Sequence, residues 1–357
     1  MSNDSKFITF VLGAGASFEV GMPTGKILKK NIGSSLSFEL GDFGRLSGGD
    51  DQLRQAVINL SQLEKKKNEL PDYLKAAKQI KGGMQQAPSI DNFIDSHRSN
   101  TRVSEVGKLA IASEILKAER KSKLYVSHSN SYNKLNFEDI EDTWFNEFFK
   151  LLTLNAEEQD LPERLKNVRV VTFNYDRTLE HYLFLSIQNY YGCSPEKSAK
   201  ILSHLKVIHP YGKVGDLPWQ NNKNGVPFGA ESQTETLIQV FKLLRTFTEE
   251  TTSGNESQIK SIRVAIFEAE ILAFLGFAYH KQNLELLFDT EKVSPPRFSN
   301  QVYGTAFGIS ESDRKVITSE ITKYGNYNYL PVTLRGDLSA AQLIPEYSRS
   351  LSIPSAT

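Results

Sequence analysis

Apolar runs of strand length recur along the chain, and each stops on a small or polar residue. Phe7 to Leu12 (FITFVL) ends at the turn Gly13-Ala14-Gly15-Ala16-Ser17, and Val168 to Phe173 (VRVVTF) ends at Asn174-Tyr175-Asp176. Lys206 to His209 is a further strand end, within the run Val207 to Gly212 (VIHPYG). Glu270 to Phe277 (EILAFLGF) and Gln301 to Ile309 (QVYGTAFGI) are two later runs of the same kind. Short, unalternating apolar runs bounded by turn residues predict buried strands of a parallel sheet. Helix-period patterns fill the intervals. One covers Gln52 to about Ile80, with Leu53, Val57, Leu60 and Leu63 on one face. Others cover Lys26–Lys30, Val103–Arg120, Asp176–Leu185 and Ser310–Lys323. Asp139–Leu154 carries an aromatic stripe of Trp144, Phe145, Phe148, Phe149 and Leu152, which predicts a core-facing helix.

The Gly-, Ser- and Asp-rich stretch at 33–50, the stretch at 81–88 and the polar stretch at 249–259 read as loops, and Ser89 or Asp91 is placed to cap the helix that follows the second. One strand–turn–helix unit therefore opens the chain, and the sheet pattern resumes only after residue 165. The interval is far longer than an ordinary connection. The expected architecture is an α/β, Rossmann-like parallel sheet with a large helical insertion. Its NAD-binding core is discontinuous, 1–34 and 165–325; the insertion spans 35–164. A tail from 326 to 357, punctuated by Pro331, Pro345 and Pro354, follows.

Composition narrows the function classes. The 357 residues carry 42 Lys plus Arg against 42 Asp plus Glu, a formal net charge of zero. That balance does not favour a generic nucleic-acid or membrane-surface binder, and the run Lys65-Lys66-Lys67 reads as a solvated face. Cys193 is the single cysteine, so neither an intrachain disulfide nor a four-cysteine zinc module can form. No apolar run approaches the about 20 residues of a membrane span. Phe7 to Ala16 loosely imitates a signal peptide, but MSNDSK is a poor positive leader and the segment serves better as a first core strand. A reducing, cytoplasmic setting is expected.

Ligands of open α/β sheets sit beyond the carboxyl ends of the strands, so the residues at those ends carry the candidate chemistry. Gly13-Ala14-Gly15 lets backbone approach a phosphate without a Cβ in the way. Phe18 stands where a dehydrogenase fingerprint needs its third glycine. Gly21 to Lys26 fails as a P-loop because it is one residue short and Ile27 replaces the magnesium-holding hydroxyl. Asn174 and Asp176 either serve a ligand or simply cap the next helix. His209 either exchanges protons or is an ordinary loop residue before Pro210. The remaining histidines, His97, His128, His181, His204 and His280, show no metal-ligand spacing, and no metal is expected. His280 and Asn283 would border an adenosine pocket.

The order of Gly13-Ala14-Gly15-Ala16-Ser17, Asn174-Tyr175-Asp176 and His209-Pro210-Tyr211-Gly212 resembles the sirtuin-like NAD-consuming fold. The Phe-Asn-Tyr-Asp wording, Ser89 to Phe93 and Leu275-Gly276-Phe277 look like its bacterial antiviral NAD-hydrolase (NADase) branch. The likeness spans most of residues 7 to 325 in separated blocks. The zinc module and acyl-lysine channel of the protein deacylases have no counterpart. The resemblance therefore implies an NAD⁺ glycohydrolase that takes NAD⁺ as substrate and releases nicotinamide and ADP-ribose. It implies catalytic roles for Asn174, His209 and Asp176: Asn174 on water or ribose hydroxyls, Asp176 on the nicotinamide carboxamide, His209 as general base. It implies NAD contacts from Gly13, Ala14, Gly15, Ser17, Thr172, Gly276 and Phe277, with Ser17 and the Gly13 and Gly15 amides on the diphosphate. The family further implies an NAD-depleting antiphage effector of abortive infection. Its trigger would be oligomerisation, as a homo-oligomer in the family manner, or a partner such as a HerA-type ring ATPase or a short Argonaute. A non-catalytic NAD or ADP-ribose sensor is the alternative, and a deacylase or ADP-ribosyltransferase the third.

Overall fold

The computed structural model describes residues 7–41, 45–63, 69–127, 134–247, 249, 256–288, 301–324 and 331–353. The Lys65 run, most of the polar stretch at 249–259 and Pro354 lie outside these residues. The strands in chain order are β1 (Ile8–Leu12), β2 (Glu39–Leu40), β3 (Leu46–Ser47), β4 (Val168–Thr172), β5 (Lys206–Ile208), β6 (Ile271–Leu275), β7 (Gln301–Thr305) and β8 (Val332–Arg335). β2 and β3 form a small antiparallel hairpin within the loop expected at 33–50. The other six make one sheet of order β5-β4-β1-β6-β7-β8, every neighbouring pair parallel.

The chain fills this sheet outward from the middle, first to one side through β4 and β5, then to the other through β6, β7 and β8. That is the Rossmann order, and its reversal point lies between β1 and β6, where the loops leave in opposite directions and open a crevice. Register sharpens the position. Leu12 lies level with both Thr172 and Leu275, so the turns after β1, β4 and β6 emerge at one height.

Both faces of β1 are covered, which explains its unbroken apolar sequence. Phe10 meets Phe148 of the helix Trp144–Thr153 edge to face at 4.9 Å, and Thr9 Oγ1 donates to the Ala265 carbonyl of the helix Glu256–Phe267. The aromatic stripe is core, as its spacing predicted. Trp144 Nε1 also donates to the Ala16 carbonyl at 2.8 Å. Glu19 joins the same corner, accepting from the first-turn amides of two helices at Trp144 and Ala341.

Two boundaries move. The chain beyond 325 is no appended tail: β8 pairs with β7, and the helix Ala340–Glu346 packs on Trp144–Thr153. The latter helix, numbered within the insertion, is itself a layer of the core. The helical pattern expected from 52 to 80 is also divided, into Asp51–Leu63 and Leu70–Gly83. Pro71 explains the restart, because proline lacks the amide a helix interior needs and is tolerated only in the first turn.

The rest of the insertion packs around the 21-residue helix Thr101–Lys121. Its Glu119 makes a fully buried ion pair with Arg177, just after β4; Arg177 Nε and backbone N reach Glu119 Oε1 at 3.1 and 3.2 Å. The remaining guanidinium hydrogens go to the Val226 and Pro227 carbonyls, and Glu119 Oε2 also accepts from Gly229 N. One buried charge pair thus ties insertion, sheet and the 226–229 loop together.

Candidate active site

At the reversal point lies a cavity of about 610 Å³. Gly13, Ala14 and Gly15 line it from β1, Phe173 and Asn174 from β4, and Gly276 and Phe277 from β6. The insertion closes one side with Ser89, Asp91 and Asn92, while His280 and Asn283 border it from the start of the helix Lys281–Leu287. Of the residues singled out from sequence, Ser17, Thr172, Asp176 and His209 do not line it.

The glycine turn has a different reason from the one expected. Gly13 N donates to the Leu275 carbonyl and Gly15 N to the Gly276 carbonyl, each at 3.0 Å. Those amides are committed to β6 and are not presented to a diphosphate. Glycine is required because the two strand-end turns touch backbone to backbone. A Cβ on Gly13 would stand 2.6 Å from the Gly276 oxygen, and one on Gly276, at φ +57°, would stand 2.0 Å from Ala16 N. The lining also includes the Ala14 backbone, Thr24 at the start of the helix Gly25–Ser35, where the helix dipole favours negative charge, and Lys281, whose Nζ lies 3.8 Å from Glu285 Oε1.

Asn174 is held from below. Its Nδ2 donates to the Gly13 carbonyl at 3.1 Å and to Ser17 Oγ at 2.9 Å. The carbonyl can only accept, so the amide orientation is fixed and Oδ1 is left to the cavity. Thr172 Oγ1 accepts from Asn174 N, anchoring its backbone. Ser17 in turn donates to Asp176 Oδ1, which also accepts from the Thr178 amide and hydroxyl. Asp176 therefore stands one residue before the N-cap Arg177 and accepts from the first amide of the helix Thr178–Tyr191, and its burial raises its pKa above the ordinary carboxylate value. Its side chain does not line the cavity. Ser17, Thr172 and Asp176 build the floor under Asn174.

His209 stands behind the same asparagine. Nδ1 lies 3.1 Å from the Asn174 carbonyl oxygen and Nε2 3.0 Å from Glu180 Oε1. Both partners are acceptors, so both bonds form together only on a doubly protonated ring. Burial opposes the charge on Glu180, but His209 and Lys213 outweigh it and hold that carboxyl well below its usual range. Lys213 Nζ is 3.2 Å from the same oxygen. In this conformation His209 positions the Asn174 backbone and lines a separate outer recess with Lys206, Lys213 and Arg245. It is not placed as a base on a ligand in the main cavity.

Sequence reasoning passed over two groups. Asp91 was visible only as a possible cap; Ser89 takes that role by accepting from Asn92 N, which frees the aspartate for the cavity. The Tyr175 hydroxyl donates to Asp91, and burial raises the Asp91 pKa although that hydrogen bond lowers it. An acidic residue at the start of an otherwise apolar helical turn (Ile90, Phe93, Ile94) was the available signal. Tyr211 also lines the cavity, bonded to Asn283 Oδ1 at 2.6 Å and edge-on to Phe173 at 5.5 Å. With Phe277 these rings make an apolar wall suited to a flat heterocycle.

Among the described residues no group of three or more His, Cys, Asp or Glu side chains is placed to hold a metal ion, and no helix is long and apolar enough to cross a membrane. No protein-family model and no curated protein matches this sequence.

Proposed function

We propose that the chain is an NAD⁺ glycohydrolase that cleaves the nicotinamide–ribose bond with water as acceptor. One observation carries this reading: a cavity at the reversal point of a Rossmann-ordered sheet is lined by a rigidly held Asn174 whose Oδ1 has no partner among the described residues. Such crevices take dinucleotides. The aromatic wall suits nicotinamide or adenine, and the helix start at Thr24 with Lys281 suits the diphosphate.

The chemistry asks little of a general acid, because nicotinamide leaves as a neutral molecule from a charged ring. The transition state is oxocarbenium-like, as in other glycoside cleavage. Asn174 Oδ1 would accept from a ribose hydroxyl or hold the water. Ser17, Thr172 and Asp176 keep it there, and His209 fixes its backbone from behind. As a biological role we propose an NAD-depleting antiphage effector acting in the cytoplasm, switched on by oligomerisation or by a partner such as a HerA-type ATPase or a short Argonaute.

A second reading has one observation in its favour. Both His209 nitrogens are engaged, as befits a module that binds NAD⁺ or ADP-ribose without turning it over. Nicotinamide release by the wild-type chain and by Asn174→Ala separates the two. The glycohydrolase reading predicts release that falls at least about 100-fold in the variant. Calorimetric binding of NAD⁺ with no nicotinamide from either protein would favour the sensor.

A further inference from the structure

Hydrolysis at this site needs a group to take a proton from water, and His209 is not on the cavity. We propose that Asp91, contributed by the helical insertion, is the base that activates the water, so that the insertion completes the catalytic site. This rests on the glycohydrolase reading and deepens it.

Asp91 is the only carboxylate among the described cavity-lining residues. It lies on the helix Ile90–Ser96 and lines the same cavity as Asn174. Tyr175, the neighbour of Asn174 in sequence, donates its hydroxyl to Asp91 Oδ1. The two candidate groups are thereby held by adjacent residues of one loop. The charged and titratable groups around Asp91 are Tyr175 from that loop, and His280 with Lys281 from the helix start opposite. His280 is exposed at the rim, whereas Asp91 is half-buried. A carboxylate withdrawn from bulk water is a stronger base than an exposed one.

The step balances without any further reactant. The C1′–N1 pair returns to the pyridinium nitrogen and nicotinamide leaves neutral. The water oxygen bonds to C1′, and its proton passes to Asp91 and then to solvent. NAD⁺ and water give nicotinamide, ADP-ribose and one proton.

The test uses the full chain. Asp91→Asn should lower kcat by roughly 10²–10³-fold with KM for NAD⁺ changed by no more than about twofold. Tyr175→Phe should lose less, because the carboxylate remains. In Asp91→Ala, sodium azide should restore nicotinamide release and yield ADP-ribosyl azide, since azide attacks C1′ with no proton to remove. A misfolded variant would show a lowered unfolding midpoint and no azide rescue, which counts against the proposal. Wild-type kcat in Asp91→Asn alongside an inactive Asn174→Ala would overturn the role of Asp91 and leave the glycohydrolase reading intact. A kcat loss found in His280→Ala and absent from Asp91→Asn would give the role to His280. No nicotinamide from stoichiometric wild-type chain, both alone and under activating conditions, would remove both.

Discussion

At Gly276 one hydrogen atom in place of a methyl group lets two strand-end turns meet. The residue combines φ +57° with a Cβ position 2.0 Å from Ala16 N. A left-handed alanine costs roughly 1–2 kcal/mol, and forced overpacking adds about 1–3 kcal/mol. Gly276→Ala should therefore lower unfolding free energy in urea by about 2–5 kcal/mol, with loss of NAD⁺ binding. A neutral substitution would mean that the turns do not touch. The Gly13-Ala14-Gly15 turn was legible in sequence, but its purpose was not. Phosphate approach and backbone crossing both demand a missing Cβ, and only the fold shows Gly276 opposite. Asn174 was legible as a strand-end group. The placement of His209 was not, because Glu180 and Lys213, which turn it away from the cavity, carry no local signature.

At the scale of elements, the Arg177–Glu119 pair is the joint between insertion and sheet. Removing one partner strands a buried charge, which typically costs 3–5 kcal/mol. Arg177→Met should thus destabilise by about that much in urea unfolding. Combining it with Glu119→Leu should recover part of the loss, since neither side chain then needs a counter-charge. Additive losses in the double variant would contradict the joint. Helix existence was well signalled by periodicity, above all in the Trp144 stripe. Boundaries were weaker where one residue overrides a pattern, as Pro71 does. β8 escaped because its burial is only intermediate and its sequence, Val-Thr-Leu-Arg, is too short to stand out beside prolines.

For the whole molecule, acid stability should depend on Glu180. Its folded pKa is depressed below the ordinary 4.5, so its contribution is present above that value and is lost as pH falls through the folded pKa. Wild-type unfolding midpoints should drop on acidification below pH 4.5, and Glu180→Gln should flatten that limb while starting from a lower midpoint at neutral pH. An unchanged acid limb would remove Glu180 as its source. The Rossmann-like sheet was legible from the strand runs. The completeness of the core was less so, because its first and last elements come from opposite ends of the chain. The central claim is NAD⁺ cleavage at the crevice between β1 and β6, and product stoichiometry addresses it most directly. Chromatography of the full chain incubated with NAD⁺ should show nicotinamide and ADP-ribose appearing in equal amounts as NAD⁺ disappears, with neither product from Asn174→Ala. NAD⁺ left intact by the wild-type chain both alone and under activating conditions, or equal products from the variant, would contradict it.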